Sequence, residues 1–289
     1  TGEIVARSSY NRRMRLVWLI FNHVDAWGMT FIVAALSLAL RGALRQETLA
    51  IPAALALGAW FAFAVNDRFD AAYDKQDAEK SRRNAFTSTA GTSLDVLLII
   101  AFGTLAIIYA GFGLPGILTG LCGLAAAWVY SAPPLRLKTR PGFDLFTHAA
   151  FVETFPYLAA VVLASAALTA FDILAWSILA LASLSAQLEQ QIRDFDVDSR
   201  LERNFTTAIG LRASHRTMGA ASVVVIALGL FGVFSGIIPS FIWPGMAMTL
   251  PMFVHRLIRP VGAPRNERLI RVSMVAGAVY IAAVVVLAL

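Results

Sequence analysis

The sequence predicts an all-α fold: a polytopic membrane protein, a bundle of nine transmembrane helices. Three observations carry this reading. The 289 residues are 58% hydrophobic, with a mean hydropathy of +0.69. Charged residues make up only 15%, against roughly 25% in a soluble domain. Apolar runs of about 20 residues, the length that crosses a bilayer, recur along the whole chain.

The runs fall roughly at 15–40, 49–66, 91–111, 115–131, 145–168, 172–192, 215–236, 238–256 and 269–289. Lysines and arginines between them set an orientation. Four precede the first run: Arg7, Arg12, Arg13 and Arg15. Five follow the second: Arg68, Lys75, Lys80, Arg82 and Arg83. Three follow the fourth: Arg136, Lys138 and Arg140. Five follow the sixth: Arg193, Arg200, Arg203, Arg212 and Arg216. Five more follow the eighth: Arg256, Arg259, Arg265, Arg268 and Arg271. Only Arg41 and Arg45, after the first run, break the alternation. Basic residues favour the cytoplasmic side, so the N-terminus is expected in the cytoplasm and the C-terminus outside. The setting expected is a bacterial inner membrane. The basic rim accounts for the net charge of +6 without nucleic acid. It would attract the heads of membrane lipids and anionic substrates. No cleavable signal segment is expected. The single cysteine, Cys122, excludes an intramolecular disulfide and reads as a small buried hydrophobe.

Residues 1–289 read as one transmembrane domain. A weak internal repeat suggests two four-helix halves plus a ninth helix. Its signal is an acidic constellation that occurs twice, where an apolar helix meets a charged loop. The first copy is Asn66-Asp67-x-x-Asp70-x-x-x-Asp74, with Asp77 one turn further. The second is Gln191-x-x-Asp194-x-x-x-Asp198. Offsets of three and then four put 67, 70, 74 and 191, 194, 198 on one helix face each. Asp196 should point away. Acids packed this closely at a membrane helix end are costly unless a cation neutralises them. Hard oxygen ligands favour Mg²⁺ over Zn²⁺, and Mg²⁺ takes carboxylates together with phosphate oxygens. The implied chemistry is ionisation of a diphosphate ester. Asp70 and Asp198 are expected to be essential to it. The bland alternative is a solvated helix end whose acids pair with Arg68, Lys75, Lys80, Arg193 and Arg200.

A third segment runs Tyr130-Ser-Ala-Pro-Pro-Leu-Arg136-Leu-Lys138. Its prolines end a helix and stiffen the loop. Arg136 and Lys138 would then neutralise charge on a departing diphosphate. Asp25 and Glu153 sit in apolar runs, where a carboxyl group is costly unless it lines a cavity. Both are substrate-binding candidates, whereas His23 reads more readily as a hydrogen-bonded core residue than as a base. The aromatics Trp60, Phe61, Phe63, Phe69, Trp128 and Tyr157 read as core or interface belt. Walker-type loops, zinc spacings and the Gly-x-Ser-x-Gly elbow are missing from the sequence.

These motifs resemble the UbiA superfamily of intramembrane prenyltransferases. The resemblance covers most of the chain and rests on the two aspartate motifs and the Tyr130–Lys138 segment. It implies nine helices around a lipid-open central cavity capped by cytoplasmic loops, with the active site on the cytoplasmic side. It implies Mg²⁺ and an isoprenyl diphosphate as ligands. Asp67, Asp70, Asp74, Asp194 and Asp198 would be metal ligands, directly or through water. Asn66 would contact diphosphate or metal. Tyr130, Arg136 and Lys138 would sit beside the diphosphate or the forming cation. Gln191, a candidate from its spacing to Asp194 and Asp198, is expected to bind substrate. One departure concerns the stretch Ser81-Arg82-Arg83-Asn84-Ala85-Phe86, where many members carry Arg-Pro. That points away from quinone and chlorophyll precursors and towards a carotenoid or other terpenoid acceptor. Three functions follow: transfer to a hydrophobic acceptor (carotenoid, aromatic or lipid), cyclisation of the prenyl chain itself, and, from another class, a transporter without catalysis.

Overall fold

A computed structural model describes residues 19–76, 78–87, 91–201 and 203–289. Arg7, Arg12, Arg13, Arg15 and Asp77 lie outside the described residues. Among the described residues every regular element is helical. The principal helices are α1 (Val24–Ala39), α2 (Ala50–Asp74), α3 (Gly91–Gly111), α4 (Gly113–Ser131), α5 (Phe143–Leu163), α6 (Ala170–Arg193), α7 (Leu211–Phe234), α8 (Trp243–Ile258) and α9 (Glu267–Leu287). Seven of these, α2 to α7 and α9, are long and apolar enough to cross a membrane. α1 and α8 have 16 residues each. Many large apolar side chains stay exposed on the protein alone, among them Ile107, Phe234 and Leu287. Water would penalise such a surface, and lipid would not.

Three boundaries depart from expectation. The first apolar run is broken by a turn at Asn22-His23, where both side chains reach sideways to Asp67. α2 does not stop at 66 with its apolar run. It continues to Asp74, because Asp67 and Ala71 are buried on one side while Arg68 points out. α5 carries a wide π turn at Ala150–Thr154, a local widening often found at functional sites. Cys122 is also corrected: it is exposed on α4 rather than buried.

The chain divides into two compact units. One holds the described residues up to Gly28 with Ala56–Leu135. Here α3 packs on α4. Leu19, Ala64, Ala71, Ala85, Phe86 and Leu94 form an apolar cluster beside the first acidic motif. The other unit holds Met29–Leu55 with Arg136–Leu289. Here α6 packs on α5 and α7, and α8 packs on α7 and α9. Gly210, with φ +85°, joins a short helix (Phe205–Ile209) to α7 in a conformation that favours glycine.

The second unit is pinned by buried charge. The Arg41 guanidinium bonds Asp172, which also accepts from Tyr157 Oη at 2.6 Å and from Thr169 N and Oγ1 at 2.6 and 2.7 Å. Glu189 is buried between Arg256 (2.7 Å) and Arg259 (3.2 Å). Ser185 and Ser222 lie 3.1 Å apart across α6 and α7.

Candidate active site

The first acidic motif lies on unbroken helix, so Asp67, Asp70 and Asp74 do share a face. Asp67 is buried, and Asp70 and Asp74 are half-buried. Asp67 Oδ1 lies 3.0 Å from His23 Nε2, and Oδ2 accepts from Asn22 Nδ2 at 3.3 Å. His23 is itself stacked on Phe63, with ring centroids 4.7 Å apart. Asp74 Oδ2 accepts from Asn84 Nδ2 at 2.7 Å. Asp70 and Asp67 are close enough for their charges to act on Asp74. Arg68, the nearest arginine in sequence, turns to Asp95 at 2.5 Å. Asn22 and Asn84 give Asp67 and Asp74 uncharged donors, while Lys80 is also close enough for its charge to act on Asp74. Asn66 Oδ1 accepts from Ser131 Oγ at 3.2 Å, which ties α2 to the start of the third segment.

The second motif does not ride one continuous helix, and here the single-face expectation is corrected. α6 ends at Arg193. Asp194 is its C-cap, and a second short helix, Phe195–Leu201, begins at once. The Asp194 carbonyl accepts from the amides of Val197 and Asp198, so the turn restarts with little offset. Asp194 and Asp198 remain half-buried and Asp196 is exposed. The Asp194 carboxylate is held by Arg193 through two bonds of 2.7 and 2.8 Å, as the bland alternative anticipates. Asp198 Oδ2 accepts from Asn204 Nδ2 at 2.8 Å. Gln191 is fully engaged. Its Nε2 donates to Asp144 at 2.7 Å, and its Oε1 accepts from Thr206 N and Oγ1 at 3.1 and 3.0 Å. The oxygen that would serve a ligand already has two donors, so Gln191 holds the loop at 204–206.

In the third segment, Arg136 adopts φ +40°, a left-handed conformation uncommon for a side-chain-bearing residue. Lys138 follows on a short turn and is buried. Tyr130 is half-buried at the end of α4. Asp25 is exposed in the first turn of α1, where the helix dipole favours an acid. Glu153 lies in the π turn, and its buried Oε2 has no hydrogen-bond partner.

Among the described residues, no group of three His, Cys, Asp or Glu side chains converges to hold a metal. Mg²⁺ does not require that. It is commonly held by one or two carboxylates, with phosphate oxygens and water completing the octahedron. Asp74 and Asp198, each bonded by a side-chain amide, fit that demand. Sequence reasoning gave no role to Asn84 or Asn204, and no fixed spacing to the aspartates signals them.

No family model matches the chain. Solved structures do. A UbiA homologue from Archaeoglobus fulgidus bound to GPP and Mg²⁺ aligns with a TM-score of 0.74, covering 93% of this chain and 99% of that one at 16% identity. The same homologue bound to DMAPP and Mg²⁺ gives 0.72 at 17% identity, again over 93% and 99%. The chain has the UbiA fold. An apo UbiA homologue from Aeropyrum pernix gives 0.70 at 16% identity, over 93% of this chain and 98% of that one. The resemblance first carried by short motifs thus extends along the UbiA fold as a whole. A curated relative, the lycopene elongase/hydratase of Haloarcula japonica, is 36% identical over 94 residues, or 32% of this chain. That match spans about a third of the relative's length (31%).

Proposed function

We propose that this protein is a Mg²⁺-dependent intramembrane prenyltransferase that ionises an isoprenyl diphosphate and transfers the prenyl group to a hydrophobic acceptor. The observation that carries the reading is the pair of aspartate motifs, in which Asp74 and Asp198 are each bonded by a neutral amide, on a fold shared with homologues bound to prenyl diphosphates and Mg²⁺. Asp67, Asp70, Asp74, Asp194 and Asp198 would hold the metal, directly or through water. When bound, Mg²⁺ would draw charge from the diphosphate and make it a better leaving group. Arg136 and Lys138 face the same task as fixed cations, with Tyr130 and Asn66 beside the diphosphate. Glu153, with an unpartnered buried oxygen, and Asp25 are reserved for polar atoms of the substrates. The carbon–oxygen bond of the allylic diphosphate breaks, and its electron pair leaves with the diphosphate. The acceptor's π electrons form the new carbon–carbon bond, and the acceptor cation so formed loses a proton, which the departing diphosphate takes up. An apolar site without water protects the cation.

The nine helices, α1 and α8 included, would span the membrane around a lipid-open cavity, with both motifs on the cytoplasmic side. The lycopene relative favours a polyene acceptor. Turnover of DMAPP, GPP and longer homologues in lipid, with Mg²⁺ and then with EDTA, tests the reading. Diphosphate release should vanish on chelation, and release indifferent to EDTA overturns it. A cyclic product formed without any acceptor would instead make the enzyme a cyclase.

A further inference from the structure

Each acidic motif ends on an aspartate that is held in the same way. Asn84 donates from Nδ2 to Asp74 Oδ2 at 2.7 Å and to the Asp67 carbonyl at 2.7 Å. Its Oδ1 accepts from Phe86 N at 2.8 Å. In the other unit, Asn204 donates from Nδ2 to Asp198 Oδ2 at 2.8 Å, and its Oδ1 accepts from Thr207 N at 2.9 Å. Both asparagines are buried. Backbone amides fix which way each side-chain amide faces. Reversal would set a carbonyl against a carboxylate. Both loops are also anchored by a phenylalanine beside the asparagine. Phe86 is buried with Leu19, Ala64 and Ala71, and Phe205 packs on Leu145, Leu188 and Met218.

We infer that Asn84 and Asn204 are paired positioning residues, one for each acidic motif, that fix a carboxylate rotamer for the metal. The inference rests on the function proposed above. An amide holds one oxygen of Asp74 or Asp198 and so fixes the plane in which the carboxylate is presented. It supports the charge while metal is absent, yet brings no positive charge to compete when metal arrives. Lysine or arginine could not do both. Partners of this kind are worth about ten- to a hundredfold in metal affinity elsewhere.

Serine isolates the link. At both positions it can still accept from the loop amide, as a turn or N-cap residue, but it is too short to reach the aspartate. Mn²⁺, another hard-ligand ion, reports binding by electron paramagnetic resonance on the full chain in lipid nanodiscs, without substrate. Asn84→Ser and Asn204→Ser should each weaken Mn²⁺ binding about tenfold, while the metal-free unfolding midpoint changes little. Threonine, which also caps, replaces serine if a variant fails to accumulate. Mn²⁺ affinities within twofold of wild type overturn the inference. So does weaker binding that only accompanies a lowered metal-free midpoint, the mark of a purely structural role. Wild-type protein that binds no Mn²⁺ overturns the metal reading itself, and the inference with it.

Discussion

At the scale of single residues, exposure separates aspartates that sequence alone ranks only by spacing. Asp70 and Asp198 are half-buried, whereas Asp196, two residues from Asp198, is exposed. Asp70→Ala and Asp198→Ala are each expected to cut turnover by at least about a hundredfold, the scale of losing one electrostatic stabiliser of the departing charge. Asp196→Ala should keep most of its activity. Steady-state diphosphate release checks both, and equal losses at 196 and 198 in stably folded protein contradict the geometry. Under the proposed function both serve one metal–diphosphate assembly, so the double mutant should be far less than multiplicatively worse. The aspartates themselves were legible in the sequence because helical periodicity projects a 67, 70, 74 pattern onto one face. Their partners were not. Asn22 lies 45 residues before Asp67, and Asn84 lies ten after Asp74. Contacts of that kind depend on where a loop folds back, and no local period encodes that.

At the scale of elements, apolar length located the long helices well, because a span is a length and hydropathy property. It erred where polar side chains choose their own partners. α2 runs eight residues beyond its apolar stretch to keep the acids in register, and α6 stops at Arg193, within its motif. The polar residues inside α6 are the other lesson. A carboxyl group inside an apolar stretch is by default a functional candidate, yet Glu189 is the buried counter-ion of Arg256 and Arg259. Glu189→Gln should leave two buried guanidinium groups short of charge. A loss of about 3–5 kcal/mol in stability is expected, visible as a lower unfolding midpoint in detergent. This variant should disturb Mn²⁺ affinity less than Asn204→Ser. The reverse order would tie Glu189 to the metal site.

At the scale of the whole molecule, the alternation of charge makes a topological claim. In a chain with Cys122→Ser, single cysteines at Ser199 and Ser235 should react with an impermeant thiol reagent from opposite sides of sealed vesicles, Ser199 from the cytoplasmic side. Equal labelling from one side would overturn the proposed orientation. Arg41 is the residue that fits the charge pattern worst, and its pairing with Asp172 explains how the finished protein tolerates it. The pairing has a consequence for biogenesis. The two partners are 131 residues apart, so a nascent chain exposes an uncompensated cation behind α1 throughout the synthesis of α2 to α5. Early hairpins should therefore remain reversible in the translocon until α6 delivers its carboxylate. Truncated before residue 172, the chain should insert α1 in mixed orientations, and Arg41→Gln should restore a single one. The ion pair would then act as a late latch on topology, closed by the arrival of one side chain.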